Sequence, residues 1–167
     1  MEFELRPIRD SDLDALVKYA DDPGVAGNLT NRFPNPYTKE DGIRFIKFAQ
    51  SDGPEHIMAI SVNNEFSGAI GIHPMSDIFS RNAELGYWLA RPYWGKGIMT
   101  TAIKQMVKYG FDNFEIDRIF ARPFGRNIAS QKALEKAGFK LEARFENTIY
   151  KNRQYEDELV YAVRKSL

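Results

Sequence analysis

The chain has no cysteine, which removes disulfides, thiol nucleophiles and cysteine-ligated metals together. An intracellular setting fits that lack. Its two histidines, His56 and His73, could anchor zinc or haem only if carboxylates supplied most of the ligands, so no metal is expected. Neither sign of charge is in surplus, because 23 Lys and Arg face 23 Asp and Glu. A protein that neutralises a phosphate backbone normally carries a basic excess, so nucleic acid is not an expected partner. No run approaches the ~20 apolar residues of a membrane span. The opening Met1-Glu2-Phe3-Glu4-Leu5-Arg6 has neither a basic nor an apolar signal region. What remains is a soluble, cytoplasmic chain, expected as one domain over 1–167 and long enough to bury a core.

Patterning gives the order of elements. Phe3 to Ile8 alternates like a strand, and Asp10-Ser11-Asp12 offers N-cap chemistry for a helix carrying Leu13, Leu16, Val17 and Ala20 on one stripe. Pro23-Gly24 is expected to stop it. The segment Asn28 to Tyr37 carries two prolines and little periodicity, so it reads as a loop. Thr38-Lys39-Glu40-Asp41 restarts a helix with Ile43, Ile46 and Ala49 on one face. After a break at Ser51–Pro54, strands are expected at Ile57–Val62, Gly68–His73 and Ala83–Ala90. A helix from about Lys96 shows Met99, Ala102, Ile103, Met106 and Gly110 on one side. A strand at Arg118–Arg122, a helix at Ile128–Ala137 and strands at Phe139–Glu146 and Glu158–Arg164 complete the chain. This order predicts a mixed α/β (α+β) class with a largely antiparallel sheet.

Two phrases carry chemistry. In Tyr93-Trp94-Gly95-Lys96-Gly97-Ile98-Met99-Thr100, glycines would let a ligand approach the backbone as a helix begins. The free N–H groups and dipole of that helix end favour an anion, so main-chain donors from Gly95 to Thr100 (Gly95, Lys96, Gly97, Ile98, Met99, Thr100) could hold a diphosphate. A Walker loop would need Gly-Lys-Ser or Gly-Lys-Thr at the proper gap, which is absent. The dinucleotide fingerprint would need glycine where Thr100 stands. Asp117 does lie where a ribose-binding acid could sit, but the upstream chain lacks successive βαβ units. The second phrase, Asn127-Ile128-Ala129-Ser130, opens another helix that closes on Lys136-Ala137-Gly138-Phe139. The ordered pair points to a cofactor of the coenzyme A type.

Ala83-Glu84-Leu85-Gly86-Tyr87-Trp88-Leu89, the Gly95 phrase, Asn127-x-x-Ser130 and Glu135-Lys136-Ala137-Gly138-Phe139 together resemble the GNAT N-acetyltransferases. The likeness is to the RimJ/RimL-like branch, which acetylates ribosomal-protein N-termini, and Pro36-Tyr37-Thr38-x-Glu40-Asp41 extends it. The resemblance implies a GNAT fold, with a central mixed sheet, two splayed parallel strands and about four helices. It implies acetyl-CoA as co-substrate, its arm along the backbone near Trp88, Leu89 and Ala90. Asn127 would reach the arm or pyrophosphate, and Ser130 would lie near the sulfur. Three departures stand out: Pro92 replaces a frequent Gln or Arg, Leu134 replaces a frequent tyrosine acid, and Lys151-Asn152-Arg153-Gln154 lacks the usual turn glycine.

Acetyl transfer needs a base for the amine, an oxyanion donor and help for the departing thiolate. Glu84, in an otherwise apolar run, is the candidate base; an exposed polar strand residue is the equal alternative. Ser130 could assist the sulfur or only cap its helix. His73 reads as structural, and Lys132, Lys136 and Arg126 as a solvated face unless they meet a cofactor phosphate. Arg32, Tyr37 and Tyr150 are expected on the acceptor side, with Phe33 and Tyr155 beside them. The expected activity is acetyl transfer to a primary amine, a protein N-terminus or a small amine, by direct attack in a ternary complex, and a homodimer is compatible with it. A non-catalytic CoA-binding sensor or scaffold is the alternative from another class, and nucleotide binding at the Gly95 turn is a third.

Overall fold

The computed structural model describes residues 1–54 and 56–166. Its strands are β1 (Phe3–Pro7), β2 (His56–Val62), β3 (Glu65–Pro74), β4 (Asn82–Leu89), β5 (Arg118–Ala121), β6 (Lys140–Lys151) and β7 (Gln154–Arg164). Its helices are α1 (Leu13–Ala20), the single turn α2 (Pro23–Ala26), α3 (Lys39–Ala49), α4 (Ile98–Asn113) and α5 (Ile128–Lys136). The sheet runs β1-β2-β3-β4-β5-β7-β6. β1–β2, β5–β7 and β6–β7 are antiparallel, whereas β4–β5 is parallel. The mixed α/β class with a parallel β4–β5 pair is as expected. Among the described residues no helix is long and apolar enough to cross a membrane. The chain forms two compact units, Met1–Gly71 with Gly86–Ile98, and Ile72–Leu85 with Met99 onward.

In the first unit, Leu16, Ala20, Tyr37, Ile46, Phe66 and Trp88 pack into one core. α3 starts as its sequence indicated: Thr38 Oγ1 accepts the Asp41 N–H at 3.2 Å, and Asp41 Oδ2 accepts the Thr38 N–H at 2.8 Å. Gly42 of α3 brings that helix close to α1, since a Cβ there would lie 2.8 Å from Leu13 Cδ1. Two expectations need correction. Asp12 makes no side-chain cap to α1; its carboxylate turns back to the buried Arg6 guanidinium, at 2.7 and 2.9 Å, and to the Arg9 N–H at 2.8 Å. Pro23 does not merely stop α1. It opens α2, where a missing N–H costs nothing, behind an Asp22 cap.

One polar group in this core lacks support. The Ser61 hydroxyl is buried with no hydrogen-bond partner among the described residues. A buried hydroxyl without a partner keeps its desolvation penalty. Ser61→Ala is therefore expected to raise stability by about 1 kcal/mol, read as a shift of the urea midpoint at unchanged slope.

In the second unit, α4 buries Ala102, Ile103 and Met106, and Gly110 sits close enough that a Cβ would lie 3.1 Å from Ile119 Cδ1. α5 ends on a Schellman arrangement: Gly138 at φ +95° and Phe139 return N–H groups to Glu135 and Leu134, each at 3.0 Å. The closing hairpin is longer than expected. β6 runs on to Lys151 and β7 starts at Gln154, rather than stopping at Glu146 and starting at Glu158. β6 is exposed along most of its length, so no alternation of buried and polar residues marks its end. The turn needs no glycine because Asn152 and Arg153 both take left-handed conformations, φ +52° and +62°, as a two-residue hairpin turn requires.

Candidate active site

The glycine turn belongs to the first unit. After β4, Arg91–Tyr93 makes a 3-10 turn, and the chain then passes through Gly95 at φ +70° and Gly97 at φ +78°. Side chains rarely tolerate that region. A Cβ at either glycine would meet no atom within 4 Å, so the space over the turn is open. The left-handed Gly97 also explains why the helix begins at Ile98 and not near Lys96. Ile98 is buried, and the first turn of α4 holds no acidic side chain to oppose an incoming anion.

The turn is braced from behind. Trp94 Nε1 donates to the Leu89 carbonyl at 2.7 Å. The Lys96 ammonium lies 5.8 Å from the Tyr93 ring centre, and Tyr93 meets Tyr19 edge-on at 6.2 Å. The Tyr19 hydroxyl, against the Glu65 carboxylate, burial and Tyr93, is held above the ordinary phenol range. The end of β4 sits tightly on β3, because a Cβ on Gly68 would fall 2.3 Å from the Trp88 carbonyl. The Trp88 ring packs between Phe33 and Phe66, at 5.5 and 5.8 Å, so the residue can offer a ligand only its main chain. The Ala90 N–H is engaged by the Ser67 carbonyl at 2.8 Å.

Of the acceptor-side candidates in this unit, Arg32 is exposed and Phe33 half-buried. Tyr37 is a core residue only 5% exposed, packed on Phe33 at 5.1 Å, and its N–H donates to Asp21 Oδ1 at 3.0 Å. Burial pushes its hydroxyl up to about 12. A side chain so enclosed shapes the loop from within rather than forming an open wall.

The second unit carries the candidate base. Glu84 stands opposite Phe120, in the last of three parallel pairs between β4 and β5. Arg122, just past β5, grips its carboxylate: Nη2 donates to Oε2 at 2.9 Å and to Oε1 at 3.1 Å, and Nε to Oε1 at 3.2 Å. Sequence reasoning missed Arg122, since the pairing depends on a parallel register between segments 38 residues apart. Asn127 and Ser130 come together as the cap of α5, where Asn127 Oδ1 accepts the Ser130 N–H at 3.3 Å. That bond uses the amide oxygen and leaves the NH2 donors of Asn127 outside the cap. Leu134, at the place of the frequent tyrosine, is fully buried. Tyr150 and Tyr155 are cross-strand partners with ring centres 5.0 Å apart, and both are exposed.

This arrangement has counterparts among known proteins. Residues 2–140 match the acetyltransferase (GNAT) domain model. The N-acetyltransferase p20 of Bacillus licheniformis, itself uncharacterised, is 32% identical over 142 residues, covering 83% of this chain and 79% of p20. YdaF of Bacillus subtilis (strain 168), provisionally named a ribosomal N-acetyltransferase, is 32% identical over 98 residues. That match takes in 59% of this chain and spans only about half, 53%, of YdaF. The ribosomal α-N-protein acetyltransferase RimL, solved with coenzyme A, superposes with a TM-score of 0.85 at 22% identity. The superposition covers 97% of this chain and 93% of RimL, and at that identity it speaks for the fold. With the domain model matched over most of the length and p20 over most of both chains, the chain belongs to the GNAT acetyltransferase family.

Proposed function

We propose that the protein is one acetyltransferase domain that uses acetyl-CoA to acetylate a primary amine, a protein N-terminus or a small amine, by direct attack in a ternary complex. The observation that carries this reading is the pair of left-handed glycines with open space above them, leading into a helix with no acidic first turn. Such a turn fits a pyrophosphate held by main-chain donors of Gly95–Thr100. Acetyl-CoA supplies the activated acetyl thioester. Trp88 and Leu89 offer main-chain groups to its arm, and Asn127 an amide. Glu84 accepts the proton that the amine loses as its C–N bond forms, and Ser130 offers the departing sulfur a hydrogen bond. The absence of cysteine fits direct attack without a thiol acyl-enzyme.

A thiol-release screen over N-terminal peptides and small amines tests the reading, paired with competition of NAD and ATP against acetyl-CoA. Acetyl-CoA-dependent thiol release with at least one amine, and a preference for acetyl-CoA over either nucleotide, is the expected result. A preference for NAD or ATP over acetyl-CoA would sink it. Tight acetyl-CoA binding with no release across the panel would favour a sensor or scaffold.

A further inference from the structure

The glycine turn is tied to the α1–α2 corner by an ion pair that the acetyl-transfer reading leaves without a role. Arg91, in the 3-10 turn before Trp94, reaches across to Asp22: Nε donates to Oδ2 at 2.9 Å and Nη2 donates to Oδ1. Asp22 is itself fixed, because Oδ1 also accepts the Gly24 N–H at 2.8 Å and caps α2. The guanidinium lies 5.4 Å from the Trp94 ring centre, and the indole of Trp94 is bonded to Leu89. Gly24 clears the path. A Cβ on that residue would fall 2.0 Å from Arg91 Nη2 and 2.7 Å from Cζ. The neighbouring Asp21 holds the Tyr37 N–H, so two adjacent carboxylates fasten the turn and the Asn28–Tyr37 loop to one corner.

An exposed ion pair usually contributes little to global stability, and the Arg91 side chain is 56% exposed. A two-point clamp with a glycine vacated for it is better explained by local order. Gly95 and Gly97 are the most permissive residues of the turn, and any ligand that binds there must first offset the entropy of fixing them. We propose that Arg91 is a positioning residue: clamped to Asp22 in the space left by Gly24, it presets the Trp94–Gly97 turn for the pyrophosphate of acetyl-CoA. This rests on the acetyl-CoA reading above.

The test compares wild type with Arg91→Met, Arg91→Lys and Gly24→Ala by acetyl-CoA calorimetry, steady-state kinetics and thermal melting. Arg91→Met and Gly24→Ala are expected to raise the Kd and KM for acetyl-CoA roughly three- to tenfold, with kcat at saturating acetyl-CoA unchanged. Arg91→Lys keeps the charge but not the fork, and is expected to recover part of the loss. Gly24→Ala is the sharper variant. Alanine is the better helix former, so its melting temperature holds or rises while affinity falls, which a merely structural role would not produce. Wild-type affinity in both Arg91→Met and Gly24→Ala overturns the proposal, as does a fall in kcat with KM unmoved. Failure of the wild-type protein itself to bind acetyl-CoA overturns the parent reading, and this one with it.

Discussion

Replacing Asp12 by alanine is expected to destabilise the protein by about 3–5 kcal/mol, a large part of the roughly 5–15 kcal/mol that holds a domain folded. Both partners of the Arg6–Asp12 pair have side chains only 7% exposed. Removing the carboxylate takes the close, buried counter-ion from a guanidinium in the core, leaving it the Pro7 carbonyl at 3.0 Å and the exposed Glu4 carboxylate at 4.0 Å, and also strips the Arg9 N–H of its acceptor. Burial by itself would raise the Asp12 pKa, but hydrogen bonds from Arg6 and the Arg9 N–H more than offset it and hold the carboxyl below its ordinary range. The sign for pH follows. A depressed folded-state value means that stability from Asp12 is fully present above the unfolded value, about pH 4. It is lost as pH falls below that and through the folded value. Urea midpoints across this range should show an acid step in the wild type that is smaller in Asp12→Asn, where other depressed carboxylates such as Asp22 and Glu142 still titrate. If Asp12→Ala does not fold, the double replacement Arg6→Met with Asp12→Leu decides the matter. It removes both charges and is expected to recover much of the loss. A single variant within about 0.5 kcal/mol of wild type would mean that water reaches the guanidinium.

Features that one segment dictates alone were legible in the sequence. The helix start at Thr38–Asp41, the Gly138-Phe139 helix stop and the turn at Gly95–Gly97 each follow from local backbone demands, and each is where the sequence implied. Features that depend on a distant partner were not. Asp12 has the composition of a helix cap and is captured by Arg6 instead. Tyr37 lies in a proline-rich stretch that reads as loop, yet its ring enters the core beside Phe33. The hairpin strand β6 outran its expected end because an edge strand exposed on both faces has no hydrophobic period to read, and β7 starts correspondingly early as its partner. The candidate functional residues divide in the same way. The glycine turn is local and could be found, whereas the guanidinium that holds Glu84 is set by a three-pair parallel register.

That guanidinium shapes the second large effect. Glu84→Gln is expected to lower kcat by about 10²–10⁴-fold, the usual contribution of a positioned general base, with the KM for acetyl-CoA little changed. The carboxylate is partly exposed, at 32% of its side chain, so water can reach it. Three contacts from Arg122 take up one edge of a group with about four acceptor sites, which leaves capacity for a proton relayed from the amine. Arg122 would then act as the orienting partner that a catalytic base commonly has. The competing account makes the pair a cross-strand tie and nothing more. The two accounts separate when Arg122→Gln is measured beside Glu84→Gln. A tie works equally from either end, so both variants would lose the same small factor. A base is asymmetric: Glu84→Gln removes most of the rate, whereas Arg122→Gln loses far less. Equal, modest losses would take the proton-accepting role away from Glu84, while thiol release in the amine screen would leave acetyl transfer itself standing.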